Sequence, residues 1–448
     1  MLAFLGFAMV ATLVYFLLSE KASPVPTFII LPVIAGSLAL YVKMGGDPAI
    51  QFMPEMIKYL KAGLGTTMPI AVMFIFSILY FTIMSDAGLF DPLVDWLSKK
   101  AGHNVVMVTV STCLIAVVSH MDGALASTLL VTVPAMLPVY KRLNMRPVVL
   151  LAIIGGAMSI MNLLPWGGPT ARSAAILKMD VNELWIPLIP VQIVGLVIAI
   201  GFAVYLGLGE KKRGAGLPAE GHRPTGEAAK EAKEEEKMAK YRRPKLFWFN
   251  LLLTIGVIAM LTAFSKLPAY APFMLGTAIM MVVNYNAKEQ SDLIKKHAAS
   301  ALSVPAILLA SGVFLGILSG TGMLPAMANA LIEVIPAALG KYLHFIMGAL
   351  AVPVGMLLGT DSFFFGLVPL AIDVGSKYGI DPRNMVNAML IGKNYGVLVT
   401  PHAATTFLAV GLAGISLKEL LTFCVPRLWI LSLLAMAAAV VTGQIWFS

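Results

Sequence analysis

Two aspartates lie in otherwise apolar surroundings, Asp122 in His120-Met121-Asp122-Gly123 and Asp361 in Gly359-Thr360-Asp361-Ser362. A carboxylate set among apolar residues is costly unless it meets water, a partner ion or a ligand, so each could bind a proton, a metal ion or both. The structural alternative is a cap, with Asp accepting orphan backbone N–H groups of the next helix. About 40 residues further on, an apolar helix is interrupted in each case, by Pro165-Trp166-Gly167-Gly168-Pro169-Thr170 and by Thr400-Pro401-His402-Ala403-Ala404-Thr405-Thr406. Proline removes a backbone donor and clashes with the preceding turn, which opens the helix. Half-helix N-termini near Thr170 and Thr405 then present free N–H groups and a positive dipole end to an anionic group. Gly167 and Gly168 let a ligand approach the backbone. Arg172 could grip a carboxylate through two parallel N–H bonds or snorkel toward a head group. Lys393 and Asn394, before the second break, are open to the same two readings. His120 and His402 could move protons near neutral pH or serve as hydrogen-bonded packing residues.

The elements that must position these groups are apolar helices. The chain has 448 residues, 59% hydrophobic and 12% charged, with mean hydropathy +0.87, a composition that belongs to membrane proteins. Apolar stretches such as Ala3 to Leu18, Thr27 to Val42, Pro187 to Leu208 and Leu428 to Phe447 recur from end to end. The first has no preceding Lys or Arg and no small-residue cleavage site, so it is expected to be a retained helix. Cys113 and Cys424 fall inside apolar segments and imply neither disulfide nor thiolate metal site. The net charge of +9 lies mainly in loops, which fits the positive-inside rule and gives no reason to invoke nucleic acid.

The polar segment 209–245 reads as a linker, with a short helix over Ala228 to Tyr241, between an N-terminal repeat, 1–208, and a C-terminal repeat, 246–448. At an offset of about 236 residues, Pro69 matches Pro305 and the span end at Met84–Leu89 matches Leu318–Met323. The apolar arms around each aspartate are too short for two comfortable crossings, so each pair is expected to enter and leave by one face as a re-entrant hairpin. The expected fold is an all-α polytopic membrane protein of two inverted repeats, each with five crossings, a re-entrant hairpin and a discontinuous helix. Five is odd, so the second half must be inverted. Eleven of the 32 Lys and Arg lie in the linker, which places the linker in the cytoplasm and both termini outside a bacterial inner membrane.

Other features have structural readings. Asp86, Asp91 and Asp95 lie in an interfacial amphipathic stretch, and Gly312, Gly316 and Gly320 allow close helix packing. Ser127, His120 and Asp122 raise the thought of an intramembrane hydrolase, but no GxSxG or HExxH occurs and such a site leaves the duplication unexplained. No enzyme is expected. A passive channel leaves the two matched breaks without a purpose.

At DAGLFDP (Asp86–Pro92), MLPVYKRLNMRP (Met136–Pro147), PWGGPTAR (Pro165–Arg172), DSFFFGLVP (Asp361–Pro369) and VGLAGISL (Val410–Leu417) the chain resembles the citrate–metal/proton symporter (CitMHS) family of the ion transporter superfamily, over nearly its whole length. The resemblance implies proton-driven uptake of citrate complexed with a divalent cation of the Mg2+ or Ca2+ type, the cation being cargo and no cofactor being permanently bound. It also implies a homodimer and elevator-type movement of a transport domain against a scaffold. Carried onto this sequence, the substrate site would draw on Asp122, Gly123, Trp166, Gly167, Gly168, Thr170, Arg172, Thr360, Asp361, Ser362, Pro401, His402, Thr405 and Thr406. Asp122 and Asp361 would be the metal ligands and, with His120 and His402, the proton-coupling candidates. The tip SHMDGALAST and the segment Lys393-Asn394-Tyr395 with Pro401-His402 depart from the family pattern, the first being less acidic and less Thr-rich. The alternatives are another organic acid (a dicarboxylate, a tricarballylate-like acid or a sugar acid) or a cation/proton antiporter of the same fold.

Overall fold

A computed structural model describes residues 1–19, 21–45, 52–101, 104–216, 240–264, 267–333, 336–401 and 403–447. Most of the linker, with residues 228–239 of its expected helix, lies outside these, as do His402 and the side chain of Asp95. The described residues are helical with no strand, and eight helices are long and apolar enough to cross a membrane. This is a polytopic all-α membrane protein.

Each half follows the same succession of elements. Two apolar helices, Leu2–Leu18 and Pro24–Lys43, precede a long helix, Phe52–Asp86; in the second half they are Phe247–Ala263, Tyr270–Asn284 and Ala287–Gly320. The long helices have 35 and 34 residues, about 50 Å each at 1.5 Å per residue, and so exceed the hydrocarbon core. Pro69 and Pro305 both remain inside them. They cross closely because glycine lines the contact: a methyl group on Gly63 would overlap the Gly312 carbonyl, and one on Gly316 would overlap that of Tyr59. The small-residue series Gly312, Gly316 and Gly320 therefore packs helices, as its spacing predicts.

A short helix, Asp91–Ala101 or Met323–Ile332, leads from each long helix to a hairpin. Hairpin 1 comprises Val105–Ser119, a tight turn at His120–Asp122, and Leu125–Arg142; Asn104 caps it by accepting from the amides of Val106 and Met107. Hairpin 2 runs through Leu343–Ala349 and Ala351–Asp361, then a π-helical turn, Ser362–Leu367, and returns through Val368–Lys377. Broken helices follow, Pro147–Met161 with Gly168–Leu177, and Pro382–Asn394 with Ala404–Ala413. Their leading halves are enclosed on every side, with all residues from Val148 to Met161 and from Asn384 to Asn394 buried. A long closing helix, Ile189–Lys212 or Leu417–Val441, ends each half. The first carries the helix four residues into the predicted linker.

Charged side chains gather at the helix ends. Glu210 receives Arg146 and Arg213, Arg243 pairs with Glu289, Arg242 with Asp91, and Asp86 accepts from Lys296 and His297. The Glu210 bonds join the start of the linker to the end of hairpin 1, where Gly216 also donates to the Leu143 carbonyl. Arg242 and Arg243 tie the linker's described end to the short helix Asp91–Ala101 and the second long helix, and the Asp86 bonds join the two long helices. Asp86 and Asp91 thus have the structural role expected of them. At the mouth of hairpin 2, Arg383 pairs with Glu183, and Asn384 donates to the carbonyl of Trp446 in the C-terminal tail.

Candidate functional site

Both hairpin tips turn on a glycine in a left-handed conformation, Gly123 and Gly359, each with φ of 73°. An L side chain there would be strained, which is why the bend falls at these positions and not at a neighbouring residue. The aspartates stand on opposite sides of their turning points, Asp122 just before Gly123 and Asp361 two residues after Gly359, and they do different work. Asp122 accepts from the Ala124 amide at 2.9 Å and from the Ser127 hydroxyl, which ties the tip to the start of the second arm of hairpin 1. Asp361 begins the π-helical turn and accepts from Arg172 of the first broken helix, Nε at 2.9 Å and Nη2 at 2.7 Å. Both bonds end on Oδ1. The two side chains are 9% and 18% exposed for Arg172 and Asp361, respectively, so the pair is largely withdrawn from water without being sealed.

Arg172 therefore holds a carboxylate, as its chemistry suggests, but the carboxylate is the protein's own and comes from the other half of the chain. The guanidinium lies over Gly168 on one side and 6.0 Å from the Phe365 ring on another. Phe365 in turn meets Phe28 edge-on, which fixes the π-helical turn against the second helix of the chain. The wider π turn lets Phe363, Phe364 and Phe365 all be buried while Asp361 keeps its direction toward Arg172.

The hydrogen bonds that close the first break come from within its own half, and Phe273 of the other half packs on it. Asn162 Oδ1 accepts from His120 Nε2 at 3.1 Å, leaving Nδ1 to take the Thr128 hydroxyl at 2.6 Å. His120 is thus satisfied in packing and does not reach Ser127, so the Ser127–His120–Asp122 set has no hydrolase geometry. Trp166 donates to the Met121 carbonyl at 2.6 Å and stacks on Phe81, with Phe273 edge-on to it. Gly167 is tight against the Asn162 carbonyl, and Gly123 against that of Trp166.

One bond recurs in both breaks. Thr170 Oγ1 donates to the carbonyl of Asn162, eight residues earlier, at 2.8 Å; Thr406 Oγ1 lies against that of Leu398, also eight earlier, at 2.9 Å, and against that of Thr400 at 2.7 Å. These hydroxyls are spent on joining the two half-helices across each opening. Thr405 and Pro401 are half-buried at the second break, and Thr360 is half-buried at the tip of hairpin 2. The two breaks touch through Ser159, which donates to the carbonyl of Asn394 at 3.1 Å.

The elements that carry the Arg172–Asp361 pair and the second broken helix hold polar groups with no hydrogen-bond partner among the described residues. Lys393 is fully buried against Gly355 of hairpin 2 and its Nζ makes no hydrogen bond, although it feels the charges of both Arg172 and Asp361. Ser173, Ser362 and both amide atoms of Asn394 are likewise buried and unpartnered. Each follows one of the three charges directly in sequence: Arg172-Ser173, Asp361-Ser362 and Lys393-Asn394. Lys393 and Asn394 were ambiguous in the sequence, and Ser173 carried no signal beyond its place beside Arg172. Among the described residues, no group of three or more His, Cys, Asp or Glu side chains converges to hold a metal alone.

A cavity of about 490 Å³ lies between the two long helices on one side and hairpin 2 with the end of the first broken helix on the other. Lys58 and Thr66 line it from the first long helix, Ser319 from the second, and Ile372 and Asp373 from hairpin 2. Ala175 and Ile176 bring its wall to within one helical turn of Arg172. Its size suits a small polar ligand.

The sequence has relatives. The chain is 36% identical over 448 residues to a citrate transporter of Bacillus subtilis (strain 168), covering 100% of both chains. It is 33% identical over 453 residues to a Mg(2+)/citrate complex secondary transporter of the same organism, again covering 100% of each. The citrate transporter (CitMHS) family model matches residues 13–392. The chain belongs to the CitMHS citrate transporter family.

Proposed function

We propose that this protein is a secondary symporter that takes up citrate as a complex with a divalent cation, coupled to protons, by elevator-type alternating access. The observation that carries the reading is the constellation at the meeting of hairpin 2 with the first broken helix: an arginine, an aspartate and an unpartnered buried lysine, each followed by an unpartnered polar residue. Buried polar atoms without partners are expensive, and a polyanion carrying a cation can satisfy them. The names of the relatives supply the substrate class.

Complexation also lowers the electrical cost of uptake, since each negative charge resists entering a cell with about 2.3 kcal/mol per 100 mV. A divalent cation removes two of the three charges of a tricarboxylate. Protons would make the loaded carrier positive, so that both potential and pH gradient drive it inward. Asp122 is suited to carrying a proton, being buried in a tip with an amide and a hydroxyl for company and no cation among its hydrogen-bonded partners.

The matching order of elements supports two repeats, 1–208 and 246–448, of opposite sense. With the basic ends of the linker in the cytoplasm, both termini lie outside an inner membrane. The glycine-lined crossing of the long helices suits a scaffold and the cavity beside it suits a sliding boundary; a homodimer would anchor that scaffold.

Uptake of labelled citrate into proteoliposomes under an inward proton gradient, with and without Mg2+ or Ca2+, tests the reading. Metal-dependent, gradient-driven uptake is expected. Absence of citrate uptake by well-folded protein under every one of these conditions would overturn it in favour of another organic acid.

A further inference from the structure

The Arg172–Asp361 bond joins elements that are 189 residues apart, the first broken helix and the tip of hairpin 2. Its two members are the same chemical pair that a metal carboxylate presents, one anion and one cation. Because both N–H bonds fall on Oδ1, Oδ2 takes no part in the pair. Breaking a buried pair by satisfying only one member leaves the other as an uncompensated charge, which costs far more than exchanging both together.

We propose that this internal ion pair is the device that makes the carrier demand a metal-bound carboxylate: the ligand's carboxylate replaces Asp361 on Arg172, while its cation replaces Arg172 on Asp361. The inference rests on the metal–citrate reading above and adds the reason for it. Free citrate can take Arg172 but is set beside an unpaired Asp361, anion against anion. A free cation can take Asp361 but abandons Arg172. Only the complex exchanges both partners, and discrimination comes from the penalty on the wrong ligands as much as from attraction to the right one.

The charges around the pair agree with this. Arg172 and Asp361 cancel, and Lys393 remains as one buried amine with no hydrogen-bond partner. A fully ionised tricarboxylate holding a divalent cation has one net negative charge, which Lys393 balances when it is protonated on binding the ligand. Uncomplexed citrate would leave the site strongly negative, and the bare cation would leave it strongly positive. Ser173, Ser362 and Asn394, each next in sequence to one of Arg172, Asp361 and Lys393, are buried with hydrogen-bonding capacity left over.

Calorimetric titration of the purified full-length protein with Mg2+–citrate, with citrate in EDTA and with Mg2+ alone tests the exchange. Wild type is expected to bind the complex at least about tenfold more tightly than citrate in EDTA. In Asp361→Asn that ratio should fall to about one, because citrate alone no longer meets an anion. In Arg172→Gln, citrate in either form should be lost and Mg2+ alone should bind. Should Asp361→Asn fail to fold, Asp361→Ser, which keeps Arg172 for the ligand's carboxylate, is read in its place and should likewise show no preference for the complex. Retention of the wild-type ratio by whichever of these two variants folds overturns the exchange while leaving metal–citrate transport standing. If wild-type protein binds citrate neither with nor without metal, the substrate reading falls, and the exchange falls with it.

Discussion

Lys393 has its whole side chain and its amine inside the protein, with no hydrogen-bond acceptor among the described residues. A residue in that position lowers stability compared with an apolar one of similar shape, so its presence needs a ligand to explain it. Lys393→Met should therefore leave the melting temperature unchanged or raise it, and should weaken Mg2+–citrate binding by about tenfold or more. A destabilised Met variant with normal binding would make Lys393 a packing residue. Arg172→Gln should behave oppositely in the fold, losing roughly 2 to 3 kcal/mol because Asp361 is stranded; 9% and 18% exposure keeps this below the loss of a fully buried pair. How far these roles were legible depended on distance along the chain. Arg172 and Asp361 were each visible as charges in apolar segments, but nothing local told that they bind one another. Asp122 looked equivalent to Asp361, yet it bonds an amide and a hydroxyl of its own hairpin where Asp361 bonds Arg172, and the two stand on opposite sides of their tip glycines.

At the scale of the element, the chain turns and broken helices could be read from proline and glycine, whereas the length of the hairpin arms was a poor guide, since Val105–Asp122 and Ala351–Lys377 are long and apolar enough to cross a membrane. The means of closing the breaks could not, because Thr170 and Thr406 were candidates for a ligand and their hydroxyls turn back to carbonyls eight residues earlier. Thr170→Val and Thr406→Val should each cost about 1 to 3 kcal/mol, since a buried carbonyl loses its donor. Thermal melting measures this, and faster amide exchange confined to the altered break would locate it. If instead melting is unchanged and citrate binding is lost, the hydroxyls serve the ligand. Gly359→Ala gives a companion test at the hairpin tip: with φ of 73° and ψ of 175°, the substitution should cost on the order of 2 kcal/mol. The π-helical turn beside it left no mark in the sequence, because three consecutive phenylalanines fit an ordinary buried helix equally well.

For the whole molecule, the question is whether hairpin 2 and the broken helices move as a body against the crossed long helices. The glycine contacts at Gly63, Gly312 and Gly316 interlock the long helices, leaving little room for them to slide past each other. The cavity beside them has walls from both bodies, which makes a matched pair of cross-links possible. Cysteines at Thr66 and Ile372, joined by a short bifunctional maleimide, would tie a long helix to hairpin 2. Cysteines at Thr66 and Ser319 would tie the two long helices to each other across the same cavity. The natural Cys113 and Cys424 are buried, which keeps background reaction low. If the transport body moves, the first cross-link should abolish uptake and the second should leave most of it, although both fill the cavity with the same reagent. Loss of uptake in both would mean that the cavity is the substrate's path and that blocking it is sufficient. Uptake that survives the first cross-link would rule out rigid-body movement across this boundary, and alternating access would then have to come from opening of the hairpin tips alone.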